Sequence, residues 1–306
     1  MSSQPVTSSA FDFTSCFTQI SGYDIHYVEV GEGDPMLFVH GNPTSSYTFR
    51  NVLKPIAEKT GRRCIALDLL GFGKSDKPNM DYSCELHAGI IEGFIEKLDL
   101  RHTILVAEDW GGFLAGYVMT RQPERFQSAI FMETFLWPMT WKEDADPSLI
   151  MMFKMMRSPV GALFTQGLNV MVNKLIPEHC PISEESLQYY RDSLPTFKKR
   201  KAMGDFPKLI PMDEKPQASF DFAMALQAGL QKLTMPILWI KADPGVIVSM
   251  VNPIGMGRLE QLNEQLPDLT IQDFGPGYHF LSEENPDRVI EMTTAWVNDH
   301  LMAQIA

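Results

Sequence analysis

Cysteine is scarce and scattered in this chain. Its four copies, Cys16, Cys64, Cys84 and Cys180, form no C-x-x-C pair and no zinc-type spacing. That pattern excludes a redox dithiol and a zinc ribbon, and predicts free thiols. The seven histidines include no H-E-x-x-H and no H-x-H, so the sequence offers no metal centre. Apolar runs of about 18 residues, the length that crosses a bilayer, are missing, so no transmembrane helix and no membrane partner are expected. The opening "MSSQPVTSSAFDF" lacks the basic and apolar regions of a secretory leader, and a cytoplasmic protein is expected. Positive charge is short as well. With 26 Lys and Arg against 38 Asp and Glu, the net charge is −12, which disfavours binding along nucleic-acid phosphates. The one basic run, "KKRK" at 198–201, is expected to be a solvated loop.

What is present is an ordinary globular composition, 44% hydrophobic over 306 residues, enough for one large domain with an insertion or for two domains. The stretch "ISGYDIHYVEVGEGDPMLFVHG" (20–41) reads as two strands separated by a Gly-Glu-Gly-Asp turn. Then come a buried strand and Gly-rich loop in "RCIALDLLGFGKSDKP" (63–78), and helical spacing in "ELHAGIIEGFIEKL" (85–98). Next follow strand "HTILVA", helix "GFLAGYVMTRQP" and strand "FQSAIFME" (126–133). Apolar strands alternating with amphipathic helices imply a parallel sheet covered on both faces.

From about 135 to 215 the alternation stops. Helical stretches rich in Met and Phe take over ("SLIMMFKMM", "LFTQGLNVMVNKLIP", "SEESLQYYRDSL"), with no convincing strand. Strand–helix alternation resumes with "MPILWIKADPG" (235–245), "GRLEQLNEQLPD", "LTIQDFG" and "DRVIEMTTAWVNDHL". The pattern is a helical insertion, 135–215, within one α/β domain made of 1–134 and 216–306.

In such sheets functional groups gather at the carboxyl ends of the strands. Here those ends carry His40-Gly41-Asn42-Pro43, Asp68, Glu108-Asp109-Trp110, Glu133, Asp243 and, past the last strand, His279. "LVAEDWGGFLAGY" (105–117) runs an apolar strand into two acids and then a helix, with the small residues Ala107, Gly111 and Gly112 beside them. Strand–small–x–nucleophile–x–Gly–helix is the nucleophile elbow of the α/β-hydrolase fold, with Asp109 in the usual place of Ser. A carboxylate is ionised at neutral pH and attacks without a base. It suits displacement at an sp3 carbon, and it leaves an ester that a second step must hydrolyse. His279 is placed to activate water for that step, with Glu133 or Asp243 to orient the imidazole.

With those residues on the page, the chain resembles the haloalkane dehalogenases of the α/β-hydrolase superfamily. The resemblance runs through "FVHGNPTSSYTFRNV", "DLLGFGKSDKP", "EDWGG", "FMETFLWPMTW", "ADPGVIVS" and "GPGYHFLSEENPD". It implies an α/β-hydrolase fold with an inserted helical cap, and no cofactor or metal. It also implies a small halogenated aliphatic substrate, water as co-substrate and a released halide ion. Within the resemblance Asp109 is the nucleophile, His279 the base and Glu133 the acid. Asn42 and Trp110 donate side-chain N–H groups to the halide and backbone N–H groups to an oxyanion. Phe135, Trp141, Phe153, Met156, Phe164, Met171 and Leu281 are the candidate apolar lining. Two features depart from the family. Glu108 stands where a His usually precedes the nucleophile, and a carboxylate there perturbs Asp109 only if both point the same way. The cap stretch "KKRKAMGDFPKLIP" also differs from the family's. Epoxide hydrolases and coelenterazine-type luciferases use the same elbow and stand as the alternative activities.

Overall fold

The computed structural model describes residues 8–142, 147–247 and 253–302. Residues 1–7, part of the segment read for a leader, lie outside that set. Eight strands form one sheet: β1 (Cys16–Ile20), β2 (Tyr23–Val30), β3 (Pro35–Val39), β4 (Arg63–Leu67), β5 (Thr103–Glu108), β6 (Phe126–Met132), β7 (Ile237–Pro244) and β8 (Leu269–Gly277). Their spatial order is β1-β2-β4-β3-β5-β6-β7-β8. β1 and β2 pair antiparallel, as do β2 and β4, while every pair from β4 and β3 through to β8 is parallel. The two strands read in 20–41 do not form a hairpin. β2 joins β4 and β1, so the Gly-rich turn is a crossover. β1 has no counterpart in the sequence reading, because its alternation covers only five residues at the sheet's edge, of which Ile20 alone is buried.

Alternate residues of each parallel strand face opposite layers. Leu37, Val39, Leu105, Ala107, Phe131 and Trp239 pack into one apolar layer. Met36, Phe38, Ile104, Val106, Ile130 and Ile240 pack into the other. The first layer is closed by α2 (Cys84–Lys97), whose first turn is capped by Ser83, and by α3 (Trp110–Arg121). The second is closed by α1 (Leu53–Thr60) and α11 (Pro286–Val297).

Between β6 and β7 lie α4 (Pro147–Arg157), α5 (Ile176–His179), α6 (Glu184–Ser193), α7 (Lys201–Leu209) and α8 (Gln217–Leu230). Two π-helical turns, Leu163–Gly167 and Met171–Leu175, precede α5. The remaining helices are α9 (Pro253–Gln265) and the one-turn α10 (Leu281–Glu284). The "KKRK" run is not a loop. It enters α7, where Lys201 pairs with Asp81 and with Asp205 four residues on, so its charge is neutralised as the helix starts. α8, for which the sequence shows no clear period, packs on α3 with Phe222 stacked on Tyr117 at 3.9 Å. No helix among the described residues is long and apolar enough to cross a membrane.

Candidate active site

β3, β5, β6 and β8 all run their carboxyl ends to one edge of the sheet, and the loops leaving those ends carry the predicted residues. The sharpest loop follows β5. Asp109 has φ of 49° and begins α3, a conformation that costs a residue with a side chain on the order of 1–3 kcal/mol. The surroundings over-determine it. Asp109 N–H lies 3.2 Å from the Glu133 carbonyl, and Thr134 Oγ1 donates to the Asp109 carbonyl at 2.6 Å. Nothing larger than glycine fits on either side. A Cβ on Gly41 would lie 2.3 Å from Asp109 Oδ2, and one on Gly111 would lie 2.1 Å from the Val39 carbonyl oxygen. The small residues beside the two acids are thus a packing requirement of the elbow.

The Asp109 carboxylate is held asymmetrically. Asn42 N–H donates to Oδ2 at 2.7 Å, while Oδ1 faces His279 Nε2 at 3.7 Å. Burial pushes the Asp109 pKa above the usual carboxylate range, opposed by the His279 charge and by backbone N–H groups of Asn42 and Trp110. On the far side of the ring, His279 Nδ1 lies 3.6 Å from Glu133 Oε2. That oxygen also accepts the N–H groups of Val246 (2.7 Å) and Ile247 (3.1 Å). Burial disfavours a charged imidazole, but Glu133, Asp109 and Glu108 outweigh it and lift His279 to about 9. Asp243, the other acid considered for this place, is exposed at the end of β7.

Glu108 turns to Ser282, whose hydroxyl donates to its carboxyl at 3.3 Å. It is fully enclosed, and its pKa is pushed up to about 8: burial and the Asp109 charge raise it, while His279 and Ser282 lower it. The shift favours the protonated form, so Glu108 adds less negative charge beside Asp109 than a solvated carboxylate would.

Asn42 and Trp110 are both buried. The Asn42 amide donates to the Met203 carbonyl at 3.3 Å and makes a longer contact to Met171 Sδ at 3.7 Å, and its Oδ1 has no partner. The Trp110 indole lies flat on Phe206, centroids 4.6 Å apart and planes 10° from parallel, with Phe135 edge-on at 5.3 Å. Upstream, buried His40 accepts Leu69 N–H on Nε2 at 3.0 Å and donates from Nδ1 to the Gly41 carbonyl at 2.8 Å. Burial lowers its pKa and favours this neutral form, which steadies the turn leading into Asn42.

The structure therefore gathers Asn42, Asp109, Trp110, Glu133 and His279. Of the candidate lining, Phe135, Met156 and Met171 belong to the apolar layer that holds Trp110, and Phe153 packs against it half-buried. Phe164 is half-buried on the first π-helical turn. The cations of Lys154 and Arg157 lie 5.5 and 5.7 Å from the centre of the Trp141 ring. Leu281 lies fully buried in the layer on the other side of the sheet. Met203 and Phe206 went unmarked in the sequence because the basic run ahead of them hides the start of α7. The helical spacing of Ala202, Met203 and Phe206, all buried, is the signal that finds them. Among the described residues, no group of three His, Cys, Asp or Glu is arranged to hold a metal.

Comparison with known proteins agrees with this fold. The family profile describing the alpha/beta hydrolase fold matches residues 34–286. A haloalkane dehalogenase of Mesorhizobium japonicum is 34% identical over 283 residues, 90% of this chain and 89% of the relative. One from Agrobacterium fabrum is 30% identical over 279 residues, with 90% and 89% covered. Among solved structures, haloalkane dehalogenase DatA from Agrobacterium tumefaciens C58 superposes with a TM-score of 0.86 at 30% identity, covering 95% of this chain and 99% of that one. DbeA from Bradyrhizobium elkani gives 0.88 at 28%, covering 95% and 100%.

Proposed function

This chain belongs to the haloalkane dehalogenases of the α/β-hydrolase fold, and from that premise we propose how its residues hydrolyse a haloalkane to an alcohol and a halide. The observation that carries the reading is the asymmetric grip on Asp109, with Oδ2 tied to Asn42 N–H and Oδ1 left facing His279.

Oδ1 attacks the carbon that bears the halogen. The new C–O bond forms as the C–halogen bond breaks, and negative charge passes to the leaving halide. The Trp110 indole N–H and the Asn42 amide N–H are assigned to receive it, because fixed donors in a dry site are most effective where charge develops. The product is an alkyl ester of Asp109. His279 Nε2 then takes a proton from water as that water attacks Cγ. The oxyanion forms on Oδ2, already held by Asn42 N–H. Collapse breaks the Cγ–O(alkyl) bond, and His279 returns its proton to the departing alcohol. Glu133 stabilises the imidazolium between the two transfers.

Residues 135–215 act as the cap and 1–134 with 216–306 as the core. The placement of Phe206 on Trp110 supports a cap that closes over the halide end of the site. The substrate is a small halogenated aliphatic, in keeping with the apolar Phe135, Met156 and Met171 of that layer. Four free cysteines, three of them buried, support a cytoplasmic location. Opening an epoxide on this elbow calls for a donor to the epoxide oxygen, and the adjacent tyrosines of the cap, Tyr189 and Tyr190, are engaged elsewhere. The Tyr190 hydroxyl is committed to Glu283 at 2.5 Å and Tyr189 is stacked on Tyr47 at 3.9 Å.

Two measurements test this reading. Brominated and chlorinated alkanes should release halide with alcohol formed in equal amount, and bromide should quench tryptophan fluorescence in the wild type but not in Trp110→Phe. Turnover of epoxides without halide release from any alkane would overturn it. For the acid, Glu133→Gln should slow ester hydrolysis by roughly 10²-fold, in the range of a lost acid–base partner, while Asp243→Asn should stay near wild type. The reverse pattern would transfer the role to Asp243.

A further inference from the structure

Two adjacent carboxylates lie between His279 and α11, and the chemistry above uses neither. They face different ways. Glu283 is fully buried and paired with both terminal nitrogens of Arg50, and it accepts the Tyr190 hydroxyl from α6. Glu284 instead reaches back along its own chain. Its Oε2 accepts Tyr278 N–H at 2.7 Å, and its Oε1 accepts both His279 N–H and Phe280 N–H at 2.8 Å.

Those three donors are consecutive, and they emerge where the β7–β8 ladder ends at Gly277. Beyond that point no strand among the described residues pairs with the chain to receive its N–H groups. The N–H groups of half-buried His279 and buried Phe280 need a partner, and one carboxylate satisfies both together with that of the more exposed Tyr278. Bonds from N–H groups to an ionised acceptor are about twice as strong as neutral ones. The middle donor is the backbone of His279 itself.

The imidazole above this turn is poised between two acids. Nε2 is 3.7 Å from Asp109 and Nδ1 is 3.6 Å from Glu133. Both separations are longer than a hydrogen bond, so a displacement of a few tenths of an ångström towards one acid moves the ring away from the other. Reach to a water beside Asp109 therefore depends on where the 278–280 turn is held.

We infer that Glu284 is a positioning residue for ester hydrolysis, its carboxylate gripping three successive backbone N–H groups so that His279 stays aligned between Asp109 and Glu133. The inference rests on His279 being the water-activating base. It has a consequence that a merely structural role lacks. Alkylation of Asp109 needs no base, so loss of the Glu284 grip should spare the first step and slow the second.

The experiment is rapid-quench kinetics with bromobutane, following the bromide burst and the ester on Asp109 by intact mass. Glu284→Gln keeps an acceptor for His279 and Phe280 but turns an NH2 toward Tyr278 N–H, while Glu284→Ala removes all three contacts. Ester hydrolysis should slow by about 10-fold in Glu284→Gln and about 10²-fold in Glu284→Ala, the scale of a misplaced catalytic group. The bromide burst should stay within about twofold, and ester should accumulate. If Glu284→Gln hydrolyses its ester at the wild-type rate, or if burst and hydrolysis fall together, the inference is overturned. Glu284→Gln is nearly isosteric, so the test stands even if Glu284→Ala does not fold. His279→Phe, run alongside, separates the two readings. If that variant forms no ester, the assigned role of His279 fails. If it does while Glu284→Gln behaves as wild type, only the positioning role fails.

Discussion

Treated with excess bromobutane, the His279→Phe protein should release one equivalent of bromide and then stop. The mass of the protein should rise by one butyl group, localised to the peptide that carries Asp109. The expectation follows from which atoms each step needs. Attack by Oδ1 uses an ionised carboxylate and a leaving group, both present without the imidazole, whereas hydrolysis needs a base for water. Removing a general base costs roughly 10²–10⁴-fold, enough for the ester to outlast the measurement. The substitution also removes the positive charge that holds the Asp109 pKa down against burial. With that charge gone, the Asp109 pKa rises further, so alkylation in the variant should weaken at acidic pH and recover as pH increases. Wild-type turnover of bromobutane combined with an unlabelled Asp109 peptide in His279→Phe would rule out the covalent route.

The parts of the site that were legible in the sequence are those whose neighbours along the chain betray them. Asp109 is announced by the apolar strand before it and by glycines that a Cβ would turn into collisions. Glu133 stands directly after β6 and His279 two residues after β8, where a parallel sheet delivers side chains to one edge. What stayed hidden depends on partners distant in the sequence. Glu283 meets Arg50 across 233 positions and Tyr190 across 93, and no local pattern encodes either contact. Glu284 looks like an acid in the first turn of a helix until the three N–H groups it grips are placed around it. The orientation of Glu108 was open because alternation along a strand says only that neighbours diverge. Ser282, 174 positions away, decides where its carboxyl goes. In α7 the obstacle was composition, since a run of four cations reads as solvent-facing unless Asp81 and Asp205 are known to neutralise one of them.

Asp109→Asn should abolish dehalogenation, by at least about 10⁴-fold as expected for loss of a nucleophile, and should leave no alkyl adduct. The more informative effect is on His279. Burial lowers its pKa, and Glu133, Asp109 and Glu108 together raise it to about 9. Replacing one of those anions by a neutral amide should therefore bring the pKa down. The sign also sets a stability trend. A histidine raised from about 6.5 to about 9 contributes stability that is fully present below 6.5 and lost as pH climbs through 9. In Asp109→Asn that contribution should be smaller and should end at a lower pH. Alkylation neutralises the same carboxylate in the course of the reaction. The variant thus imitates the ester state, in which His279 gives up its proton more readily than in the resting enzyme. On the proposed mechanism, formation of the ester would convert an imidazolium suited to pairing with Asp109 into a base suited to activating water. Titration of the His279 ring by NMR in both proteins measures the difference, and, if hydrolysis limits turnover, the acid limb of the wild-type kcat should follow the variant's lower value. An unchanged pKa near 9 in Asp109→Asn would mean that Asp109 does not hold the imidazole in its charged form, and that some other event delivers the neutral base.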